Sequence, residues 1–142
     1  MKRYSRQDQT TMAVWAADCA ERVLPLFEAA HPGDGRPHRA IEACRAWVET
    51  GVFRMVDIRG ASLAAHAAAR DAEEGSAARF AARAAGQAVA TAHVPQHAYG
   101  AAYYALKAVA AANPANAVAG VAAEREWQAA RLPEGLREEI ME

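Results

Sequence analysis

Lysine is nearly missing from this chain: Lys2 and Lys107 are the only two, and arginine carries the remaining basic charge. Cysteine is as scarce, with Cys19 and Cys44 far apart and in no CxxC pattern. That argues for a reduced, cytoplasmic protein and leaves one Cys19–Cys44 disulfide open. No excess of one charge exists either, since 16 basic residues face 17 acidic ones for a net charge of -1. There is thus no electrostatic case for nucleic acid or an anionic membrane as partner. Long hydrophobic runs are absent as well. The longest, around Ala101 to Ala112, is too short to span a bilayer and contains Lys107. Lys2, Arg3 and Arg6 are followed by the polar stretch Gln7 to Thr11, so no signal-peptide core follows them. The expectation is a soluble protein.

Bulky aliphatic and aromatic residues are few, with Leu, Ile, Val and Phe together at about 15% of the chain. Alanine fills the gap: 40 of the 142 residues, the main reason the apolar share reaches 53%. Near-zero net charge and the strong helix preference of alanine favour a folded chain of closely spaced helices. The length suits a single domain with one core. Residues 1–7 are expected to form a flexible N-terminus.

Hydrophobic periodicity divides the chain into six or seven helices. In the first, Asp8 to Ala30, Met12, Trp15, Cys19, Val23 and Leu26 share one face. Asp18 precedes Arg22 by four residues, the favourable order for a helical ion pair. Pro25 predicts a kink there or a restart, because it removes a hydrogen bond to Glu21. His31-Pro32-Gly33-Asp34-Gly35 is a turn. A second helix from Pro37 to Thr50 buries Ile41, Cys44, Trp47 and Val48 and stops at Gly51. Val52 to Ile58 reads as loop leading into the third helix, Ile58 to Ala72. Ser76 caps a fourth helix running to about His93. Within it Gly86, an unfavourable residue in a helix interior, predicts a close crossing by another helix. Pro95 breaks the pattern, and a fifth helix resumes near Gln96. After Asn113-Pro114 a sixth helix, about Ala115 to Ala130, is expected to bury Val118 and Val121 and to pack Trp127. A short helix, Glu134 to Met141, closes the sequence. The fold class expected is an all-α bundle with short loops, the fourth and fifth helices forming its central hairpin.

Chemistry-bearing residues are sparse. His93 and His97 stand four apart, as zinc ligands do on a helix. Yet Pro95 lies between them, no Glu completes an HExxH motif, and a third ligand is offered only by distant His66 or a cysteine. Capping or hydrogen bonding across the break is the plainer alternative, and contact with a partner a third. His66 and Arg70 share a helix face, either as a polar pair at a groove or as a half-buried His beside an Arg paired to Glu73 or Glu74. Arg79 and Arg83 make a small cationic patch with no acid one turn away. Tyr99, Tyr103 and Tyr104 suit a recognition surface, unless Tyr99 and Tyr103 pack into the sparse core. Nucleophilic catalysis needs a nucleophile, a base and an oxyanion site brought together, and no such set is visible. Neither catalytic residues nor a cofactor or metal are called for.

Longer stretches carry a resemblance. HRAIEACRAWVETG, LAAHAAARDA, ARAAGQAVATAHVPQHAYGAAYYALKAV and EREWQAARLPEGLR follow a first helix ending in ERVLPLFE. With the GQA-AT-H centre and the WQ-x3-LP-x2-LR close, residues 8 to 140 resemble the immunity-five-like family of immunity proteins from bacterial polymorphic toxin systems. The resemblance implies a small all-α cytoplasmic protein that binds and neutralises a cognate toxin by occlusion, without catalytic residues. The surface expected to make that contact includes His66, Arg70, His93, Gln96, His97 and Tyr99. A metal- or small-molecule-binding protein or enzyme using His66, His93 and His97 is the alternative. A module that homodimerises through its alanine faces is the third reading.

Overall fold

The computed structural model describes residues 3–141, with side chains through Arg137. Ser5 opens the first helix, α1 (Arg6–Ala30), by a reciprocal cap: its hydroxyl accepts from the Asp8 amide at 2.9 Å, and its own amide donates to the Asp8 carboxylate. The helix therefore starts two residues before the expected Asp8. It also passes Pro25 as one α-helix, without a restart. Glu21 and Pro25 are both exposed, so water can reach the carbonyl that the missing N–H leaves.

Helix α2 (Arg36–Thr50) carries Pro37 in its first turn and ends at Gly51, whose φ of 71° is the left-handed conformation that glycine adopts freely. Helix α3 (Met55–Asp71) begins three residues earlier than the periodicity suggests. Helix α4 (Ala77–Ala90) starts on the Ser76 cap and stops at Ala90 rather than His93. Gln9 of α1 explains that end, because its amide donates to the carbonyls of Thr91 and Ala92 at 3.0 and 3.1 Å. Two buried carbonyls past the helix end are thereby satisfied from outside the helix. Tight turns through Pro95 lead to α5 (His97–Ala112), then a 3-10 turn (Pro114–Asn116), α6 (Ala117–Ala130) and α7 (Glu134–Met141). Among the described residues there is no strand, and no helix is long and apolar enough to cross a membrane.

Helix α4 is the centre of the bundle and packs against α1, α2, α3 and α5. The contact surfaces are alanine: Ala13, Ala16, Ala17 and Ala20 of α1 meet the fully buried Ala81, Ala85 and Ala88 of α4 and Ala98, Ala101 and Ala105 of α5 in one core. A methyl group loses no rotamer entropy on burial, so close helix approach compensates for small side chains. Trp15, Phe27, Met12 and Leu132 supply the bulk. The Trp15 indole N–H donates to the Gln128 carbonyl at 2.8 Å, and the Gln128 amide donates to the Ala102 carbonyl at 3.1 Å, fastening α6 to α1 and α5.

Two expectations fail at α6 and α1. Val118 is 89% exposed rather than buried. The inward face of α6 carries Glu124 and Gln128, so its phase cannot be read from apolar residues. Arg22 pairs not with Asp18 but with Glu124, in a two-bond fork of 2.8 Å each, while lying 4.0 Å over the Trp127 ring. Asp18 instead receives Arg45 of α2 at 3.0 Å, and Glu21 shares that guanidinium.

Candidate interaction surface

The close crossing predicted at Gly86 is real, and the group that crosses is an imidazole. A Cβ placed on Gly86 would lie 2.7 Å from Nε2 of His66, so the α3 ring occupies the space a side chain would fill. Arg83 NH1 stands 2.9 Å from His66 Nδ1. Arginine can only donate, so Nδ1 accepts and the ring's one proton sits on Nε2. Burial, then the charges of Arg83, Arg70 and His97, lower the His66 pKa to about 4. The ring is therefore neutral near neutral pH.

A second unit repeats this logic one turn along. His97 Nδ1 lies 2.7 Å from Gln87 Oε1, an acceptor, so that nitrogen donates. A Cβ on Gly100 would come within 2.8 Å of the same Gln87 oxygen, so the glycine gives the amide its room. Burial and then His93 push the His97 pKa down. Between these units the Ser62 hydroxyl donates to the Gly86 carbonyl at 2.9 Å.

His93 differs from both. It is exposed, its ring stacks on Phe53 with centroids 6.1 Å apart, and it lines a groove of about 310 Å³ between α3 and the end of α4. Met55, Ile58, Arg59, Ser62, Leu63 and Ala90 complete the lining. Beyond the two polar units, Phe80 stacks on Tyr104 at 6.4 Å, and the Lys107 ammonium lies 5.8 Å over Phe80 and 5.5 Å over Tyr103. These contacts join α3, α4 and α5 into one outer face running from Phe53 to Lys107.

Of the expected contact residues, His66, His93 and His97 lie along that face, Arg70 is exposed in the last turn of α3, and Gln96 is exposed at the start of α5. Tyr99 is turned elsewhere. Its ring stands edge-on to Trp15 at 6.1 Å and its hydroxyl donates to the Leu136 carbonyl at 3.2 Å, tying α5 to α7. The alternative of three histidines converging on a metal finds no support in the arrangement. Among the described residues no three His, Cys, Asp or Glu side chains gather as a metal set, and each histidine has a different neighbour. Cys19 and Cys44 are free thiols, buried, with pKa values raised chiefly by burial, which suits packing and not attack on a substrate.

The apolar part of this face is not visible in the sequence pattern. Val52, Phe53, Met55, Val56 and Leu63 are all exposed, Val56 at 83% and Leu63 at 55%. Apolar residues in a sequence read as core, so only the three-dimensional arrangement distinguishes them. A second missed signal was available: no Asp or Glu occurs from Gly75 through Ala123. A family model described as "Imm-5 like putative immunity protein" matches residues 2–135. No curated protein and no solved structure matches the chain.

Proposed function

The chain belongs to the Imm-5 like family of immunity proteins, and from that premise we propose that it protects a bacterial cell by binding a cognate protein toxin in the cytoplasm. The contact is made by the outer face of α3, α4 and α5, including Arg70, His93 and Gln96, and it works by covering the toxin. The chain contributes no chemistry of its own. The observation that carries this reading is the exposed groove of Met55, Leu63 and His93, an apolar surface on a chain whose thiols are buried and whose His66 and His97 are already engaged. Exposed apolar residues grouped beside polar ones are what a protein interface requires.

The test is growth of cells that express the toxin together with variants of this chain. Leu63→Glu with His93→Ala should abolish protection while the far-UV circular dichroism stays helical, since both side chains are exposed. Full protection by that variant would remove this face from consideration. His93→Ala with His97→Ala should also weaken protection.

A further inference from the structure

We infer that the toxin surface received by this face is acidic around an apolar centre. This deepens the immunity reading and rests on it, adding the chemistry of the partner. The acid-free stretch from Gly75 to Ala123 spans all of α4 and α5 and the turns between them. It holds Arg79, Arg83 and Lys107 with His93 and His97. Helix α3 adds Arg54 at its cap, Arg59 in the groove and Arg70 in its last turn. Its two carboxylates do little to offset these. Asp71 is held by Arg36 at 2.7 Å, and Asp57 lines a separate hollow together with Arg54 and Trp47. Among the described residues no carboxylate forms an ion pair with Arg59, Arg70, Arg79 or Arg83. Glu73 and Glu74 are exposed in the turn between α3 and α4, at the Arg70 end of the face, and leave the groove and the outer side of α4 and α5 without a carboxylate. From Arg54 to Lys107 six basic side chains stand against four acidic ones, so the face is cationic although the whole chain is near neutral.

Three partner classes compete for a cationic face, and the arrangement separates them. Nucleic acid is held by a run of free basic groups that follows the phosphates. Here Arg59 shares its groove with Leu63 and Ala90, Lys107 lies over the Phe80 and Tyr103 rings, and Arg83 is engaged by His66. A second copy pairing by two-fold symmetry would set this face against itself and oppose like charges. A protein surface with carboxylates around an apolar knob satisfies both components, because guanidinium groups match carboxylates in a fork while Leu63 and Met55 receive the knob. The toxin region covered is therefore not a phosphate-binding cleft, and the chain does not act by imitating a nucleic acid.

The experiment uses the purified toxin domain that the wild-type chain captures from its own cells. Its affinity for wild type, for Arg59→Glu with Arg79→Glu, and for Arg125→Glu on exposed α6 is measured by calorimetry at low and high salt. The double reversal should weaken binding about 100-fold, the Arg125 control by less than about 3-fold, and salt should weaken wild type most. Circular dichroism verifies that each variant is folded. Binding by the folded double variant within about 3-fold of wild type would overturn the inference and leave the immunity reading standing. Failure of wild type to capture any toxin domain would overturn both. Displacement of the toxin by a short DNA duplex, or a wild-type dimer that the double reversal separates, would assign the face to one of the other partners and overturn it as well.

Discussion

Replacing Gly86 by alanine sets two known effects against each other at one atom. In an open helix the change stabilises by about 1 kcal/mol through backbone entropy. Here the new Cβ would lie 2.7 Å from Nε2 of His66 and 2.9 Å from its two neighbouring ring carbons. To reach ordinary contact the ring must retreat by about 0.7 Å. Retreat is resisted by the 2.9 Å bond from Arg83. Overpacking of this kind costs about 1–3 kcal/mol, so Gly86→Ala should destabilise by up to about 2 kcal/mol overall. With His66→Ala in place the obstruction is gone, and the same Gly86→Ala should become stabilising by up to about 1 kcal/mol. Urea unfolding of wild type, both single variants and the double variant gives the coupling directly. A coupling below about 0.5 kcal/mol, or a stabilising Gly86→Ala in wild type, would refute the packing of imidazole on glycine described above.

Acid should act through the same ring. The folded His66 pKa of about 4 lies below the ordinary value of 6.5, so between those limits the unfolded chain binds more protons. The contribution of His66 is complete above about pH 6.5 and is lost as pH falls through about 4. After discounting for its partial exposure the loss is about 1–2 kcal/mol, and His66→Gln should show a flatter decline than wild type between pH 7 and about 4.5. Parallel declines would mean the ring titrates freely. Glu124→Gln keeps the shape of the carboxylate but removes the charge from its fork with Arg22. Because Glu124 is nearly buried and the Arg22 side chain is 43% exposed, the expected loss is about 1–2 kcal/mol of unfolding free energy, read as a lower urea midpoint. An unchanged midpoint would show that the pair is indifferent to charge.

Helix content was legible in the sequence because the information is local. The Ser76 cap, the Gly51 stop and the Ile41–Cys44–Trp47 stripe each depend on residues within a few positions of one another. Gly86 was also legible, since a glycine kept inside an alanine helix needs a reason. What crosses it was not, because His66 comes from another helix. The same limit explains Arg22, whose partner Glu124 stands far along the chain while the spacing rule sees only Asp18. Val118 misled for a different reason: α6 buries polar Glu124 and Gln128, so hydrophobicity points to the wrong side. Of the candidate site, the histidines could be named from the sequence, but their inequality could not. His66 and His97 are built into polar units between helices, and only His93 stands open beside a groove.

The bond from Trp15 to the carbonyl of Gln128 has a consequence for timing. The largest side chain of the first helix finds its acceptor only after residue 128 has been made, when most of the chain has already left the ribosome. Until then the Trp15 N–H lacks its acceptor in the fold, and the alanine faces of α1 and α5 lack the clasp that Gln128 provides. The last helices therefore decide when the first one settles. A chain that stops before α6 therefore leaves the Trp15 indole without its acceptor in the fold.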